Sequence, residues 1–271
     1  MFKKAGFNIS VSERSYFPSI DDPEIEPVLL RAQEMPRYVE TDLDCGITGE
    51  DWIQESGVKV ERVAELIYAK QSLRPVRWVV AVPNGSSIKS IKDLAGKQIA
   101  TELVNVTKKF LSKNKIKADV EFSWGATEVK VAQGLVEAIV ELTETGKSLR
   151  ANKLKVIATV CESTTKLIAN RNSYKDEWKK NKIEQIAMLL QGAIAAEEMV
   201  GLKMNVEEKN LERVKEKLTA LSGPTISCLS KKGWFALEVI IEERKVRELI
   251  PDLKKVGARG IIEYPLNKVI Y

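Results

Sequence analysis

A loop whose residue types suit an anion lies near the middle of the chain. The stretch "ELTETGKSLRANKL" (141–154) places hydroxyls, one glycine and one lysine after the β-like run "EAIVEL" (137–142). Hydroxyls donate hydrogen bonds, glycine lets the backbone approach a ligand, and a helix beginning near Ser148 would turn its positive N-terminal end toward the loop. We therefore expect a phosphate monoester to bind here. The strand would deliver to its C-terminal end Thr143, Glu144, Thr145, Gly146, Lys147 and Ser148.

The same stretch also fits an ordinary strand-to-helix turn, in which Ser148 caps a helix and binds no ligand. Its spacing differs from the G-x-x-x-x-G-K-[ST] pattern of a Walker loop, which excludes that kind of nucleotide site. The residue types alone leave the turn and the anion site both open.

Two carboxylates precede the loop on the strand itself. Glu137 and Glu141 are four residues apart, so they lie on one face of a β-strand. Carboxylates in this position could accept hydrogen bonds from sugar hydroxyls or hold a Mg²⁺ ion shared with a diphosphate. A solvated strand edge is the alternative interpretation.

A second glycine-containing stretch, "CGITGEDW" (45–52), follows a β-like run. We interpret it as a loop whose glycines leave room for a flat ligand against the backbone, whereas Glu50 and Asp51 are explained by the start of a helix. The sequence also predicts that three tryptophans, Trp52, Trp78 and Trp124, belong to the core.

The composition excludes several classes of protein. The 271 residues contain no histidine, which removes Ser/His and Cys/His triads and His-ligated metals. The 43 basic and 38 acidic side chains are intermixed without a basic arm, so nucleic acid is not an expected partner. Three dispersed cysteines and the lack of a signal peptide or apolar span predict a cytoplasmic chain that does not enter a membrane.

Alternating patterns predict the elements that position these residues. "RWVVAVP" (77–83) reads as a strand buried on both faces of a parallel sheet, and the region from 97 to 142 alternates as βαβαβ. After Gly201 the order becomes βαββαβ, which is typical of a ferredoxin-like unit. We therefore predict an α/β protein with a separate C-terminal domain.

Nine segments together resemble the long form of ATP phosphoribosyltransferase, the first enzyme of histidine biosynthesis, over nearly the whole chain. They are "RAQEMPRYVE" (31–40), "CGITGEDW" (45–52), "AKQSLRPVRWVVAVP" (69–83), "DLAGKQIATELVNVTKKFL" (93–111), "GATEVK" (125–130), "EAIVELTETGKSLRANKL" (137–154), "GLKMNV" (201–206), "PTISCL" (224–229) and "KKVGARGIIEYPLNKV" (254–269). Their shared order and spacing make the resemblance specific.

The resemblance implies a catalytic part of two lobes, of the periplasmic-binding-protein type with a cleft, followed by a ferredoxin-like regulatory domain. The first lobe would take residues 1–80 and a return segment at 160–198, the second lobe 81–159, and the regulatory domain 199–271. In this family N1 of ATP attacks C1 of phosphoribosyl pyrophosphate, and pyrophosphate leaves with Mg²⁺. Dimers or hexamers inhibited by histidine are expected.

The resemblance also assigns roles to residues. Glu141 and Lys147 would act in catalysis, with Glu141 at the ribose hydroxyls or Mg²⁺. Phosphoribosyl pyrophosphate would contact Glu137, Glu141, Thr143, Glu144, Thr145, Gly146, Lys147 and Ser148. The nucleotide would contact Gly46, Ile47, Thr48 and Gly49. The histidine effector would contact Asn205, Leu221, Thr225 and Gly260.

The chain departs from the family at its N-terminus, and this departure keeps two alternative functions open. Members of the family begin with a strand and a basic, glycine-containing loop, about twenty residues long, before the position of Met1, and a missing strand exposes its neighbours' edges. The sequence therefore predicts low activity for the chain as written. A catalytically silent regulatory paralogue and a two-lobe small-molecule-binding module are the alternatives to the enzyme.

Overall fold

The structure, a computed structural model, describes residues 1–12, 16–67, 75–218 and 223–271. The α-helices are Phe2–Ala5 (α1), Met35–Thr41 (α2), Glu50–Ser56 (α3), Val104–Lys113 (α4), Thr127–Ala132 (α5), Lys147–Ala151 (α6), Glu177–Ala195 (α7), Leu211–Lys215 (α8) and Glu243–Lys255 (α9). The 3₁₀ turns are Ile91–Leu94, Ser173–Lys175, Ala196–Glu198 and Glu208–Asn210.

The strands of the described residues form four separate sheets. They are Ile9–Ser10 (β1), Ser19–Ile20 (β2), Cys45–Gly49 (β3), Glu61–Leu66 (β4), Val76–Pro83 (β5), Gln98–Thr101 (β6), Asp119–Phe122 (β7), Ala138–Thr143 (β8), Leu154–Ser163 (β9), Thr165–Ala169 (β10), Met199–Glu207 (β11), Thr225–Cys228 (β12), Trp234–Glu242 (β13) and Arg259–Pro265 (β14). None of the described helices combines the length and apolar composition that a bilayer crossing requires.

One of two compact units contains the predicted ferredoxin-like domain. It comprises Met1–Ser10, Ser19–Glu26 and Met188–Tyr271. Its four-stranded antiparallel sheet has the order β12-β13-β11-β14, and the elements follow as βαββαβ. Alternate residues of β11, from Val200 to Val206, are buried with Val246 and Leu253 of α9. The strand order and the βαββαβ order of elements confirm the predicted ferredoxin-like architecture, and the period-2 burial shows that one face of its sheet is covered. The predicted boundary at residue 199 stays a prediction.

The other unit, Val11–Pro18 with Pro27–Ala187, contains two further sheets. The larger sheet has the order β7-β6-β8-β5-β9, with β6 parallel to both β7 and β8. The predicted parallel arrangement is wrong for β5, which is antiparallel to β8 and β9. Val79 to Val82 are fully buried between two apolar clusters. The continuous apolar run thus indicated that both faces of the strand are buried, but it did not indicate the direction of the strand.

The smaller sheet of this unit, β3-β10-β4, is antiparallel and packs against α2 and α3. The two sheets are tied together by hydrogen bonds from the first turn of α4 to Glu55 of α3. The Glu55 carboxylate accepts bonds from the backbone N–H groups of Asn105 and Val106, each at 2.9 Å. A carboxylate at the positive N-terminal end of a helix is favourable, so these bonds stabilise the contact between α3 and α4.

The three tryptophans differ in environment. Trp78 is 2% exposed, and half-buried Trp52 packs edge-on against it with ring centroids 5.9 Å apart. Trp124 is 74% exposed, so the prediction that it belongs to the core is wrong. It follows the edge strand β7, where no element of the described residues covers its ring.

Candidate active site

The loop between β8 and α6 is a tight, internally bonded turn. The Thr143 hydroxyl is buried and accepts a hydrogen bond from the Gly146 N–H at 2.8 Å. Gly146 adopts φ +72°, a left-handed conformation that costs glycine little, and an added Cβ would lie 3.0 Å from an Arg150 nitrogen. Thr145, Lys147 and Ser148 remain exposed. The loop therefore presents two hydroxyls and an ammonium group. The hydrogen bond within the loop stabilises the backbone that carries them.

Glu141 lies beside this loop, half-buried on β8. One oxygen accepts the Thr127 hydroxyl hydrogen, and the other accepts the Leu142 N–H at 3.1 Å. Burial raises the pKa of Glu141, and the carboxylates of Glu128 and Glu102 raise that pKa further against the two hydrogen bonds. A carboxylate with a raised pKa beside an exposed loop is a candidate functional group.

The loops after β6 and β7 meet the same edge of the sheet. The Gly125 N–H donates to Glu102 at 3.1 Å, and the Ser148 hydroxyl donates to Glu128 at 2.9 Å. Glu102, Thr127 and Glu128 were not among the site residues that the sequence predicted. Their positions just after two parallel strands were the available signal, because the C-terminal ends of parallel strands share one edge.

Glu137 does not join this group. It precedes β8, and its carboxylate accepts the Gln98 N–H at 2.9 Å, at the start of β6. Four residues of extended strand place it about 13 Å from Glu141 along the chain. The two glutamates share a face of the strand but lie near its opposite ends.

The stretch 46–49 is strand β3, not the loop that the sequence predicted. An added Cβ at Gly46 would lie 2.4 Å from the Met35 sulfur, and one at Gly49 would lie 2.0 Å from an Asp51 oxygen. Side chains of the protein thus fill the space that the glycines leave. Thr48 is buried and donates to the Ala32 carbonyl at 2.6 Å, while Ile47 is half-buried.

A small cavity of about 110 Å³ adjoins the end of β3. Ligand pockets typically have about 300–1,000 Å³, so this cavity alone is too small for a nucleotide. Its lining residues are Ala32, Gly49, Asp51, Trp52, Ile67, Val76, Ser163, Thr164 and Thr165.

The residues predicted for an effector lie on the sheet of the C-terminal unit. Asn205 of β11 and Gly260 of β14 are neighbours, with the Asn205 amide nitrogen 3.5 Å from an added Cβ on Gly260. Gly260 has φ +56° at a register shift between these strands. Thr225 is on β12, two strands away from β11, or about 10 Å. Leu221 lies outside the described residues.

The raised pKa of Glu141 predicts a pH effect. The protonated form is favoured by folding, so the contribution of this group to stability decreases as pH rises through the interval between its unfolded and folded pKa. An activity that needs the carboxylate is lost on acidification at a higher pH than an ordinary glutamate would give. Because Glu128→Gln removes one neighbouring charge yet keeps an oxygen for Ser148, we expect it to move the acid limb of kcat/KM to lower pH.

A pH profile of kcat/KM for wild type, Glu128→Gln and Glu162→Gln measures this effect. Glu162 is exposed on β9 and serves as the control for loss of one negative charge. An acid limb that is unchanged in Glu128→Gln, or shifted equally by both variants, would contradict the assignment.

Sequence comparisons identify relatives over the whole chain. Residues 31–192 match the family described as ATP phosphoribosyltransferase (HisG), and residues 196–268 match the HisG C-terminal domain. The ATP phosphoribosyltransferase of Thermodesulfovibrio yellowstonii is 62% identical over 271 residues, which are 100% of this chain and 92% of that protein. That of Chlorobium phaeovibrioides is 59% identical over the same shares.

One solved structure shares the fold of this chain, and a second gives a weaker match. A chain of the ATP phosphoribosyl transferase (HisG:HisZ) complex from Thermotoga maritima matches with a TM-score of 0.59 at 24% identity, covering 70% of this chain and 90% of that chain. The alkanesulfonate-binding protein SsuA from Xanthomonas axonopodis gives a TM-score of 0.42 at 14% identity, over 59% of each chain. The predicted α/β fold with a C-terminal HisG domain is confirmed. With both family segments matched in order and relatives about 60% identical throughout, the chain belongs to the long form of the ATP phosphoribosyltransferase family.

Proposed function

We propose that the turn 143–148 holds the 5-phosphate of phosphoribosyl pyrophosphate while this ATP phosphoribosyltransferase, the enzyme of the first step of histidine biosynthesis, transfers the phosphoribosyl group to N1 of ATP. The observation that supports the site is the defined turn with exposed Thr145, Lys147 and Ser148 next to the Glu141 carboxylate. A phosphate monoester is bound by hydroxyl and ammonium donors, which Thr145 and Lys147 supply, and Ser148 would turn its hydroxyl from Glu128 to the phosphate.

The reaction requires positioning and charge complementarity rather than a covalent nucleophile. The C1–O bond to pyrophosphate breaks as the N1 lone pair of adenine forms the new C1–N bond, and positive charge develops on the ribose ring. Anchoring the 5-phosphate fixes the ring, and the Glu141 carboxylate, at the ribose hydroxyls, complements the developing charge. Neither role requires a histidine, which fits a chain that has none.

The carboxylates of the site also suit a Mg²⁺ ion that is bound mainly by the substrate. Among the described residues, no group of three or more Cys, Asp or Glu side chains could hold a metal ion by itself. Mg²⁺ commonly binds one or two carboxylates and completes its shell with phosphate oxygens and water, so a single carboxylate suffices. Glu141 is the proposed protein ligand, and the ion would neutralise the leaving pyrophosphate.

Three further assignments remain proposals of the family resemblance. The nucleotide would lie against Gly46, Ile47, Thr48 and Gly49, whose strand backbone rather than an open loop would make the contact. Histidine would bind near Asn205 and Gly260, with Thr225 reached only by a ligand spanning two strands. A homo-oligomer, dimeric or hexameric, in the cytoplasm is proposed, and light scattering measures the oligomer.

The test is release of pyrophosphate from ATP and phosphoribosyl pyrophosphate by the double variant Lys147→Ala/Ser148→Ala. We expect the KM for phosphoribosyl pyrophosphate to rise about tenfold or more, because charge-assisted phosphate contacts are lost, while the KM for ATP changes little. The matched control is Ser112→Ala/Lys113→Ala, an exposed serine–lysine pair on α4.

An unchanged KM for phosphoribosyl pyrophosphate in the loop variant would refute the phosphate site. A wild-type chain that binds both substrates but releases no pyrophosphate would instead support the silent paralogue. A chain that binds some other small molecule and neither substrate would support the binding module.

A further inference from the structure

We infer that Trp124, backed by Phe122, is the surface on which the adenine ring of ATP stacks, an inference that rests on the proposed function. The Trp124 side chain is 74% exposed and that of Phe122 is 47% exposed. Their ring centroids are 4.7 Å apart at an interplanar angle of 88°, so Phe122 supports the indole edge-on. This arrangement leaves a face of the indole open to a flat ligand.

The segment that carries the indole is anchored on both sides. The Ser123 N–H donates to the Thr101 carbonyl at 3.0 Å, and the Gly125 N–H donates to Glu102 at 3.1 Å. The Ser123 side chain is buried, with a hydroxyl that has no partner among the described residues. Trp124 is therefore exposed on a turn whose backbone is held by hydrogen bonds on both sides. An aromatic ring held in place loses little conformational entropy when a ligand stacks on it.

The position of the turn brings the indole near the reacting atoms. Thr127, three residues after Trp124, is buried and donates its hydroxyl hydrogen to Glu141. Three residues span at most about 10 Å, so the indole lies near the ribose that Glu141 is proposed to contact. Since N1 of adenine must reach C1 of that ribose, the base has to occupy the same neighbourhood.

The charges around the turn favour the base over the phosphates of ATP. Three carboxylates border the turn: Glu102 accepts the Gly125 N–H, Glu128 accepts the Ser148 hydroxyl hydrogen, and Glu141 accepts the Thr127 hydroxyl hydrogen. Unless a Mg²⁺ ion lies between them, three carboxylates repel a triphosphate, whereas they do not repel a neutral purine. The aromatic surface beside them therefore suits the adenine end of ATP, with the triphosphate pointing away from Glu141.

Steady-state kinetics of pyrophosphate release by Trp124→Ala test this inference. We expect the KM for ATP to rise about tenfold, as loss of one base–aromatic stack typically produces, with the KM for phosphoribosyl pyrophosphate unchanged. Trp124→Phe retains a π-face and should recover most of the affinity. Trp178→Ala is the matched control, because Trp178 is a 55% exposed tryptophan on α7.

Two outcomes would overturn the inference. A KM for ATP that stays within about twofold of wild type in Trp124→Ala rejects stacking, while wild-type pyrophosphate release leaves the proposed function intact. The same unchanged KM with a lower mass by light scattering assigns the indole to a contact between copies of the chain.

A direct binding measurement separates the inference from the proposed function. If ATP stacks on the indole, ATP should quench tryptophan fluorescence in wild type and Trp178→Phe, and distinctly less in Trp124→Phe. Equal quenching in all three proteins rejects the inference whether or not pyrophosphate is released. If wild type released no pyrophosphate but ATP quenched it and not Trp124→Phe, the proposed transferase function would be rejected and the stacking site would be kept.

Discussion

Replacing Glu141 by glutamine is expected to lower kcat/KM for phosphoribosyl pyrophosphate by at least about 100-fold, the size of effect seen when one preorganised charge-stabilising group is lost. Glutamine keeps an oxygen for the Thr127 hydroxyl but has no negative charge for the ribose ring or for Mg²⁺. Because burial raises the pKa of Glu141, the charged form already carries a desolvation cost, and its removal should not weaken the fold.

The measurement is pyrophosphate release together with the melting temperature, which should stay within about 2 °C of wild type. Glu137→Gln is the informative comparison, because Glu137 shares the strand face but lies at the other end of β8. If kcat/KM fell equally in both variants, the position of Glu141 beside the turn would not explain its effect, and the proposed role of Glu141 at the ribose would be wrong. Full activity of Glu141→Gln would remove Glu141 from the reaction.

Asp51→Ala is expected to destabilise the unit that contains the site by about 3 kcal/mol, as removal of a buried hydrogen-bonded carboxylate does. Asp51 is 4% exposed, and its carboxylate accepts the Trp78 indole N–H at 2.6 Å and the Trp52 backbone N–H at 3.0 Å. Alanine leaves the indole N–H of a 2% exposed tryptophan without an acceptor. This cost corresponds to a fall in melting temperature of roughly 6–12 °C for a unit of this size.

Thermal unfolding followed by circular dichroism measures this difference. Asp51→Asn keeps one acceptor oxygen for the indole N–H but turns its NH₂ group toward the Trp52 backbone N–H, so it should lose less stability than Asp51→Ala without reaching wild type. Asp119→Ala, at an exposed position of β7, is the surface control. A melting temperature for Asp51→Ala equal to that of the control would show that the indole N–H does not depend on Asp51.

Local patterns in the sequence predicted much of the fold. The βαββαβ order after Gly201 follows from alternating burial in β11 and β13 and from the amphipathic α9, all of which are properties of short segments. The turn at 143–148 was predicted for the same reason, since its glycine, hydroxyls and lysine are contiguous. The role of the turn in binding phosphate stays a prediction.

Features that depend on strand direction and on distant neighbours could not be obtained this way. The apolar run of β5 specifies two buried faces, whereas its antiparallel direction is set by pairing with β8 and β9. Gly46 was interpreted as room for a ligand, but Met35 fills that space. A glycine pattern reports missing side-chain volume and does not identify the group that occupies it.

By itself, the sequence determined the residue types available for chemistry: no histidine, a hydroxyl-rich turn with one lysine, and glutamates on the preceding strand. The tertiary structure alone decided which of them meet. It brought Glu102, Thr127 and Glu128 to Glu141 and Ser148, left Glu137 at the far end of β8, and placed Trp124 outside the core. The physical reason is that parallel strands align the loops after β6, β7 and β8 at one edge, a juxtaposition that residue spacing does not encode.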